Sequence, residues 1–254
     1  MKILLTNDDG IDAPGLRHSV EMLAPFNAEL AIFAPKRNHS GAGHSITLWR
    51  EIEILLLEPR DGVPTRWQID GTPIDAVKFA LDNQNFAPDL VVSGINNGEN
   101  IGTGIYYSGT TQAALEAYFH RVPALALSVE NYRHPRYDTA AHWGRIILEK
   151  ILPLIAGGAA QPFVLNVNVP DCDAAAVKGL RVTRQSNASF REKFHPSRDG
   201  RPNHYYLDGV MTPAETAPDF DLIALRAGYV SITPLQTPPT DPAAMERFVR
   251  AINN

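Results

Sequence analysis

Residues 1–15, MKILLTNDDGIDAPG, constrain the fold more than any other stretch of the chain. Lys2–Thr6 is a short apolar run rich in Ile and Leu, the pattern of a buried strand. It ends in Asn7-Asp8-Asp9-Gly10, a turn-forming cluster, and Pro14-Gly15 then punctuates the entry to a helix over residues 16–23. Strand, polar tip and helix make the first βα unit of an open parallel sheet, in which ligands bind at the carboxyl ends of the strands. Asp8 and Asp9 fall at such an end. Two adjacent carboxylates repel unless a cation or a proton lies between them. An Asx-type turn capping the helix is the other reading of the same residues.

The pattern repeats along the chain. Residues 29–34 read as a second buried strand, ended by Pro35 and followed by the polar run Lys36-Arg37-Asn38-His39-Ser40-Gly41-Ala42-Gly43-His44-Ser45. Glycines, serines and histidines at the mouth of a strand exceed what a connector requires, although an ordinary surface loop would also account for them. His39 and His44 read as structuring this loop rather than as ligands or proton shuttles. Residues 46–58 and 65–70 suggest an added β-meander with Arg60-Asp61-Gly62 as a turn. Thr72 suits an N-cap, Pro73 the first helical position and Asp75 the first turn of a helix reaching about residue 82.

A buried strand over residues 88–93 leads into a long run, 94–107, with no packing role of its own, and loops of that length tend to be functional. Ser108-Gly109-Thr110 then opens a helix over 111–120. Free backbone N–H groups at that start, a glycine and two hydroxyls suit a phosphate cradle, while Ser108 or Thr110 as a plain N-cap would also explain them. A strand over 123–129, an amphipathic helix over 137–155 stopped by Gly157-Gly158, and a strand over 163–169 complete the alternation. The expected class is therefore α/β, a doubly wound, Rossmann-like parallel sheet.

From residue 179 the character changes. Strands are expected over 180–184, 189–194 and 204–207 around a turn-rich segment at 196–202, a protruding hairpin able to pair with another subunit. Residues 220–226 and 229–234 follow, then a terminal helix over 241–252. The division expected is a core of 1–178 carrying the site and an extension of 179–254 that is not an independent domain.

Bulk properties narrow the function. The chain has 254 residues, 44% hydrophobic, with a net charge of −5 and no Lys/Arg-rich run. That balance argues against binding to duplex DNA or RNA or to a membrane surface, because phosphate backbones demand clustered positive charge. A single cysteine, Cys172, excludes an intrachain disulfide and a thiolate zinc cluster. The first apolar run is too short for a signal peptide and none approaches the ~20 residues of a membrane span, so a cytoplasmic protein is expected. No GxGxxG follows a strand, and GxxxxGK[ST] and HExxH are missing.

Three strand ends offer oxygen ligands: Asp8 and Asp9, Ser40, and Asn96. Two carboxylates, a hydroxyl and an amide carbonyl suit one divalent metal per subunit, Mg²⁺ or Mn²⁺. Such a cation neutralises phosphoryl oxygens and acidifies bound water, and the 108–110 helix start would hold the same phosphate. Metal-assisted hydrolysis of a phosphate ester is the reaction this set describes.

These residues together resemble the SurE family of survival-protein-E-type nucleotidases. The resemblance rests on Thr6-Asn7-Asp8-Asp9-Gly10, Ala34-Pro35, Ser40-Gly41, Ser45-Ile46-Thr47 and Gly71-Thr72-Pro73 with Asp75. It continues through Ser93-Gly94-Ile95-Asn96, Tyr107-Ser108-Gly109-Thr110, Asn166-Val167-Asn168-Val169-Pro170 and Gly228-Tyr229-Val230-Ser231. It implies metal-dependent hydrolysis of nucleoside 5′-monophosphates, with 3′-monophosphates and short polyphosphate as further substrates. It implies Asp8, Asp9, Ser40 and Asn96 as metal ligands and Ser108, Gly109, Thr110, Asn96 and Gly41 as the phosphate-binding set. Asp8, Asp9, Asn7 and Ser108 would be catalytic, and a homodimer or homotetramer would form through the C-terminal hairpin and tail. The chain departs from the family pattern at Thr103-Gly104, at Ala117 and at Phe220-Asp221, where Asp221 is a further catalytic candidate. A catalytically weak nucleotide-binding regulator and an assembly protein built around the hairpin are the rival readings.

Overall fold

In the parallel strands successive side chains serve two different cores, which is why their sequences run apolar without alternation. The protein was examined as a computed structural model that describes residues 1–84, 86–130, 133–156 and 161–235. Strand β1 (Lys2–Thr6) sends Ile3 and Leu5 to one face and Leu4 to the other, all fully buried. Helices α1 (Pro14–Leu23) and α4 (Tyr137–Ala156) cover the first face; α2 (Pro73–Lys78) and α3 (Gly109–Phe119) cover the second. Every residue from 109 to 117 is buried, and alanines at 113, 114 and 117 let α3 lie close to the sheet.

The remaining strands are β2 (Glu29–Pro35), β3 (Ile54–Leu57), β4 (Thr65–Ile69), β5 (Leu90–Asn97), β6 (Ala124–Val129), β7 (Val164–Val169), β8 (Leu180–Val182), β9 (Ser189–Pro196), β10 (Tyr205–Thr212) and β11 (Val230–Leu235). The main sheet runs β3-β4-β2-β1-β5-β6-β7-β11-β8. From β4 to β7 all neighbours are parallel; β3 is antiparallel to β4, and β11 is antiparallel to β7 but parallel to β8. After β1 the chain steps to β2 on one side and later returns to β5 on the other. The sheet therefore reverses its order between β1 and β5, the position at which a crevice opens at the carboxyl ends.

Several elements differ from the sequence expectation. Only Ile54–Leu57 of the 46–58 segment is a strand, and β4 pairs parallel with β2, so there is no meander. Trp49 adopts a left-handed φ of 62°, and Thr47 is drawn to α2 by its amide (3.0 Å) and hydroxyl (2.6 Å), both donating to Asp75. The 94–107 run does pack: Ile95, Ile101 and Ile105 are buried, and Ile101 joins Ala188, Leu222 and Leu225 in a small third core. Residues 220–226, whose type the sequence left open, hold a helix, α5 (Asp221–Arg226). Its apolar run DLIALR is too short for periodicity to separate helix from strand. The hairpin β9–β10 forms a separate two-stranded sheet whose second strand runs on to Thr212. The expected terminal helix over 241–252 and the Gly157-Gly158 stop lie outside the described residues. Among the described residues no helix is long and apolar enough to cross a membrane.

Candidate active site

The tip of β1 is built before any ligand is considered. Asn7 is fully buried, and its amide clasps Gly10, donating to the carbonyl (2.8 Å) and accepting from the amide (3.3 Å). Gly10 takes a φ of 112°, which a side chain would resist. Asn7 thus shapes the turn that presents Asp8 and Asp9.

Asp8 is only 3% exposed. Its carboxylate accepts from the Thr110 hydroxyl and lies against the start of α3, where a Cβ on Gly109 would come 2.7 Å from the Asp8 Cβ. Only glycine permits that approach. Burial raises the Asp8 pKa; the Thr110 hydroxyl, then the amides of Thr110 and Gly109, pull against it without cancelling it. The helix start expected to offer free amides therefore spends them: Gly109 and Thr110 serve Asp8, and Thr111 N–H donates to the capping hydroxyl of Ser108 (3.0 Å). A buried carboxylate needs those donors more than solvent does.

Asp9 is more open. Burial first, and then the charge of Asp8, push its carboxyl up to about 6, against an opposing hydrogen bond from the Asn97 amide (3.2 Å). Asn38 Nδ2 donates to the other Asp9 oxygen at 3.2 Å, while Asn38 Oδ1 accepts from the Ser40 amide at 2.7 Å. One asparagine thereby couples the loop carrying Ser40 to the β1 tip. The His39 amide donates to the Asp8 carbonyl at 2.6 Å, and His39 Nε2 is buried with no hydrogen-bond partner among the described residues. At the end of β5, Asn96 Nδ2 donates to Gly98 O at 2.7 Å, which leaves its side-chain oxygen as the atom it can offer.

These tips border a cleft of about 620 Å³. Asp8, Ser40, Gly41, Asn96 and Ser108 line it, brought together from four separate segments. Asn7, Asp9, Gly109 and Thr110 are not lining residues; Asn7, Gly109 and Thr110 act on the cleft through Asp8 and the turn, and Asp9 is held behind it by Asn97 and Asn38. Asp221, the carried-over candidate, is fully buried and accepts from the amides of Gly102 (3.0 Å) and Ser186 (3.1 Å), so it clasps backbone instead of facing the cleft.

The far wall was not foreseen. Phe190, Glu192 and Phe194 of β9 and Leu207 of β10 line it, together with Tyr107 and Asn100. Asn100 is held from β7: its amide donates to Asn168 Oδ1 (2.7 Å), and its carbonyl accepts from Asn166 Nδ2 (2.7 Å). The polar run Asn96-Asn97-Gly98-Glu99-Asn100 could have signalled part of this wall. The hairpin residues carry no local signal, since their facing depends on where the hairpin lands.

The donor set fits a hard divalent cation. Among the described residues no group of three or more His, Cys, Asp and Glu side chains is arranged to hold a metal ion. What the crevice provides is the Asp8 carboxylate beside a hydroxyl and an amide oxygen, with Asp9 next to it in the chain but outside the lining; burial raises both carboxyls.

Known proteins resemble the chain in sequence and in fold. Residues 3–192 match the model of the family described as Survival protein SurE. A 5′-nucleotidase SurE of Desulforudis audaxviator is 38% identical over 249 residues, covering 97% of this chain and 95% of that protein. A 5′-nucleotidase SurE of Synechococcus sp. is 37% identical over 259 residues, covering 98% and 97%. The crystal structure of the SurE protein from Aquifex aeolicus superposes with a TM-score of 0.80 at 30% identity, covering 100% of both chains. Near-complete coverage in sequence and in fold leads to one conclusion: the chain belongs to the SurE family.

Proposed function

We propose that this protein is a divalent-metal-dependent phosphomonoesterase that hydrolyses nucleoside 5′-monophosphates to nucleoside and phosphate. The observation that carries the reading is the buried Asp8 carboxylate, set beside Asp9 at the switch point of the sheet and backed by the start of α3. The names of the curated relatives supply the substrate class.

Asp8, Asp9, Ser40 and Asn96 would hold one Mg²⁺ or Mn²⁺. When bound, such an ion neutralises phosphoryl oxygens and lowers the pKa of a coordinated water. The chain's own residues do the rest. Ser108 accepts from Thr111 N–H, so its hydroxyl proton remains to donate to a phosphoryl oxygen in the cleft. Thr110 and Gly109 orient Asp8 by direct hydrogen bonds and close contact. Gly41, without a side chain and with open space around it, lets a phosphate approach the loop backbone. Phe190, Phe194 and Tyr107 give an aromatic surface for a base at the other end.

The same reading extends to 3′-monophosphates and short polyphosphate, to a cytoplasmic site of action, and to a homodimer or homotetramer through the hairpin. Exposed apolar side chains at Phe194, Tyr205, Leu207 and Val210 support the last of these. The test is phosphate release from a panel of 5′- and 3′-nucleotides and triphosphate, in EDTA and with Mg²⁺ or Mn²⁺ restored. Metal-dependent release that Asp9→Asn loses, with its far-UV circular dichroism unchanged, is the expected result. Equal release in EDTA, or an active variant, would overturn the assignment.

A further inference from the structure

The loop bearing Ser40 and Gly41 is tied to α3 by a side chain that the reaction itself does not use. His44 Nδ1 lies 2.8 Å from Gln112 Oε1, and His44 Nε2 lies 2.8 Å from Glu116 Oε2. The orientation of the Gln112 amide is set independently, because its Nε2 donates to Ile105 O at 2.8 Å. Turning that amide over would place two acceptors face to face there and two potential donors at His44. Both imidazole nitrogens therefore face acceptor oxygens. A neutral ring carries one N–H and satisfies one of them; only the doubly protonated ring satisfies both.

We propose that His44 is a positioning residue: as an imidazolium it bridges Gln112 and Glu116 and latches the loop carrying Ser40 and Gly41 onto helix α3. Since the first turn of that same helix orients Asp8, the latch sets the distance between two parts of the phosphate site.

The surroundings favour the charged ring. Glu116 is buried, and its carboxylate also takes Lys78 Nζ (3.1 Å) and His120 Nε2 (3.1 Å), whose Nδ1 faces Asp82 at 3.5 Å. Burial alone would raise Glu116, but the hydrogen bonds from His44 and Lys78 outweigh it and hold it at about 2. The bond to Glu116 raises His44, assisted by Gln112, against the opposing effects of burial and of Lys78. The Phe119 ring, 5.7 Å away, closes one side. Lys78, at the carboxylate itself, makes this cluster a poor cation site. A folded-state pKa above the unfolded 6.5 means that the latch is complete below 6.5 and is lost as pH rises through the raised value. The loop keeps its other ties, Gly43 N–H to Tyr107 O (2.9 Å) and Thr47 to Asp75, so its fold survives the loss.

The consequence for hydrolysis rests on the proposed function; the latch itself is read without it. In the full chain labelled with ¹⁵N-histidine, both His44 nitrogens should be protonated below pH 6.5, and the midpoint should lie above that value. The amides of Ser40 and Gly41 should titrate with the His44 midpoint. Above that midpoint the KM for a nucleoside 5′-monophosphate with Mn²⁺ should rise roughly 2- to 10-fold, the worth of one hydrogen bond, with a smaller change in kcat. Glu116→Gln, which keeps an acceptor but removes the charge, should move the midpoint down toward that of an exposed histidine. His44→Ala should hold KM at the high-pH value throughout. A single neutral tautomer with an ordinary midpoint, or a His44→Ala pH profile coincident with the wild type, would overturn the proposal. A wild type that hydrolyses no nucleotide at any pH overturns the proposed function instead, while the ring and amide titrations still decide the latch.

Discussion

The two walls of the cleft are made of different material. One is the β1 tip against the start of α3: Asp8 is 3% exposed, and Gly109 has no room for a methyl group. The other is the β9–β10 hairpin, where Phe194 is 74% and Leu207 55% exposed. The first wall is continuous with two hydrophobic cores and inherits their rigidity; the second belongs to a two-stranded sheet outside the main one. Positions that must hold charge to within a fraction of an ångström sit on core elements. Positions that only need to present apolar surface sit on a projection, which can vary without disturbing the chemistry.

The largest effect that would break this contrast is expected at Gly109. Gly109→Ala forces a methyl group into the Asp8 side chain, so stability should fall by roughly 1–3 kcal/mol. Phosphate release should fall on the order of 10²-fold, as a misplacement of about 1 Å can cost. Urea unfolding and Mn²⁺-supported turnover measure the two, and an unaltered variant would show that the rigid wall yields freely. On the other wall, Phe194→Ala should raise KM for nucleoside monophosphates about five-fold or more, the worth of one stacked base. Glycerol phosphate, which has no base, should be turned over as before; equal losses on both substrates would deny the hairpin a role in reading the base.

The smallest effect concerns the flank of the rigid wall. Glu116 sits at about 2 in the folded protein against 4.5 as its ordinary value, so its stabilisation is full above 4.5 and is lost as pH falls toward 2. Together with His44, whose contribution fades as pH rises above 6.5, this places the cluster's best window between about 4.5 and 6.5. Thermal melts carried below pH 4.5 toward 2 should show a shallower acid limb for Glu116→Gln than for the wild type. Identical limbs would mean that the cluster adds nothing to the stiffness of α3.

What could be read in advance follows the same divide. Lys2–Thr6, Val164–Val169 and the first half of Leu90–Asn97 were legible because strands buried on both faces read as largely apolar runs, whereas residues 94–97, expected as loop, continue the strand. Asp8, Asp9, Ser40 and Asn96 were legible as candidates because each closes such a run or follows one. The Thr72–Asp75 capping box was legible too, though not that Asp75 would also hold Thr47 across 28 residues. Contacts of this kind lay beyond reach: His44 meets partners 68 and 72 residues away, and nothing in GAGHS marks them. Ile101 and Ile105 sit in a glycine-rich run without periodicity, so neither their burial nor the packing of Ile101 against Ala188 and Leu222 could be inferred from spacing.

The clasp at Asp221 bears on how the protein could be taken apart. Gly102 gives its amide to Asp221 and its carbonyl to Gln185, and Thr103 gives its amide to Ala188 O. A chain cut after residue 178 would strip all three partners from the segment between β5 and α3 and would lay Ile101 bare. A shuffled or truncated relative that discarded the C-terminal part would have to invent a new floor for this segment.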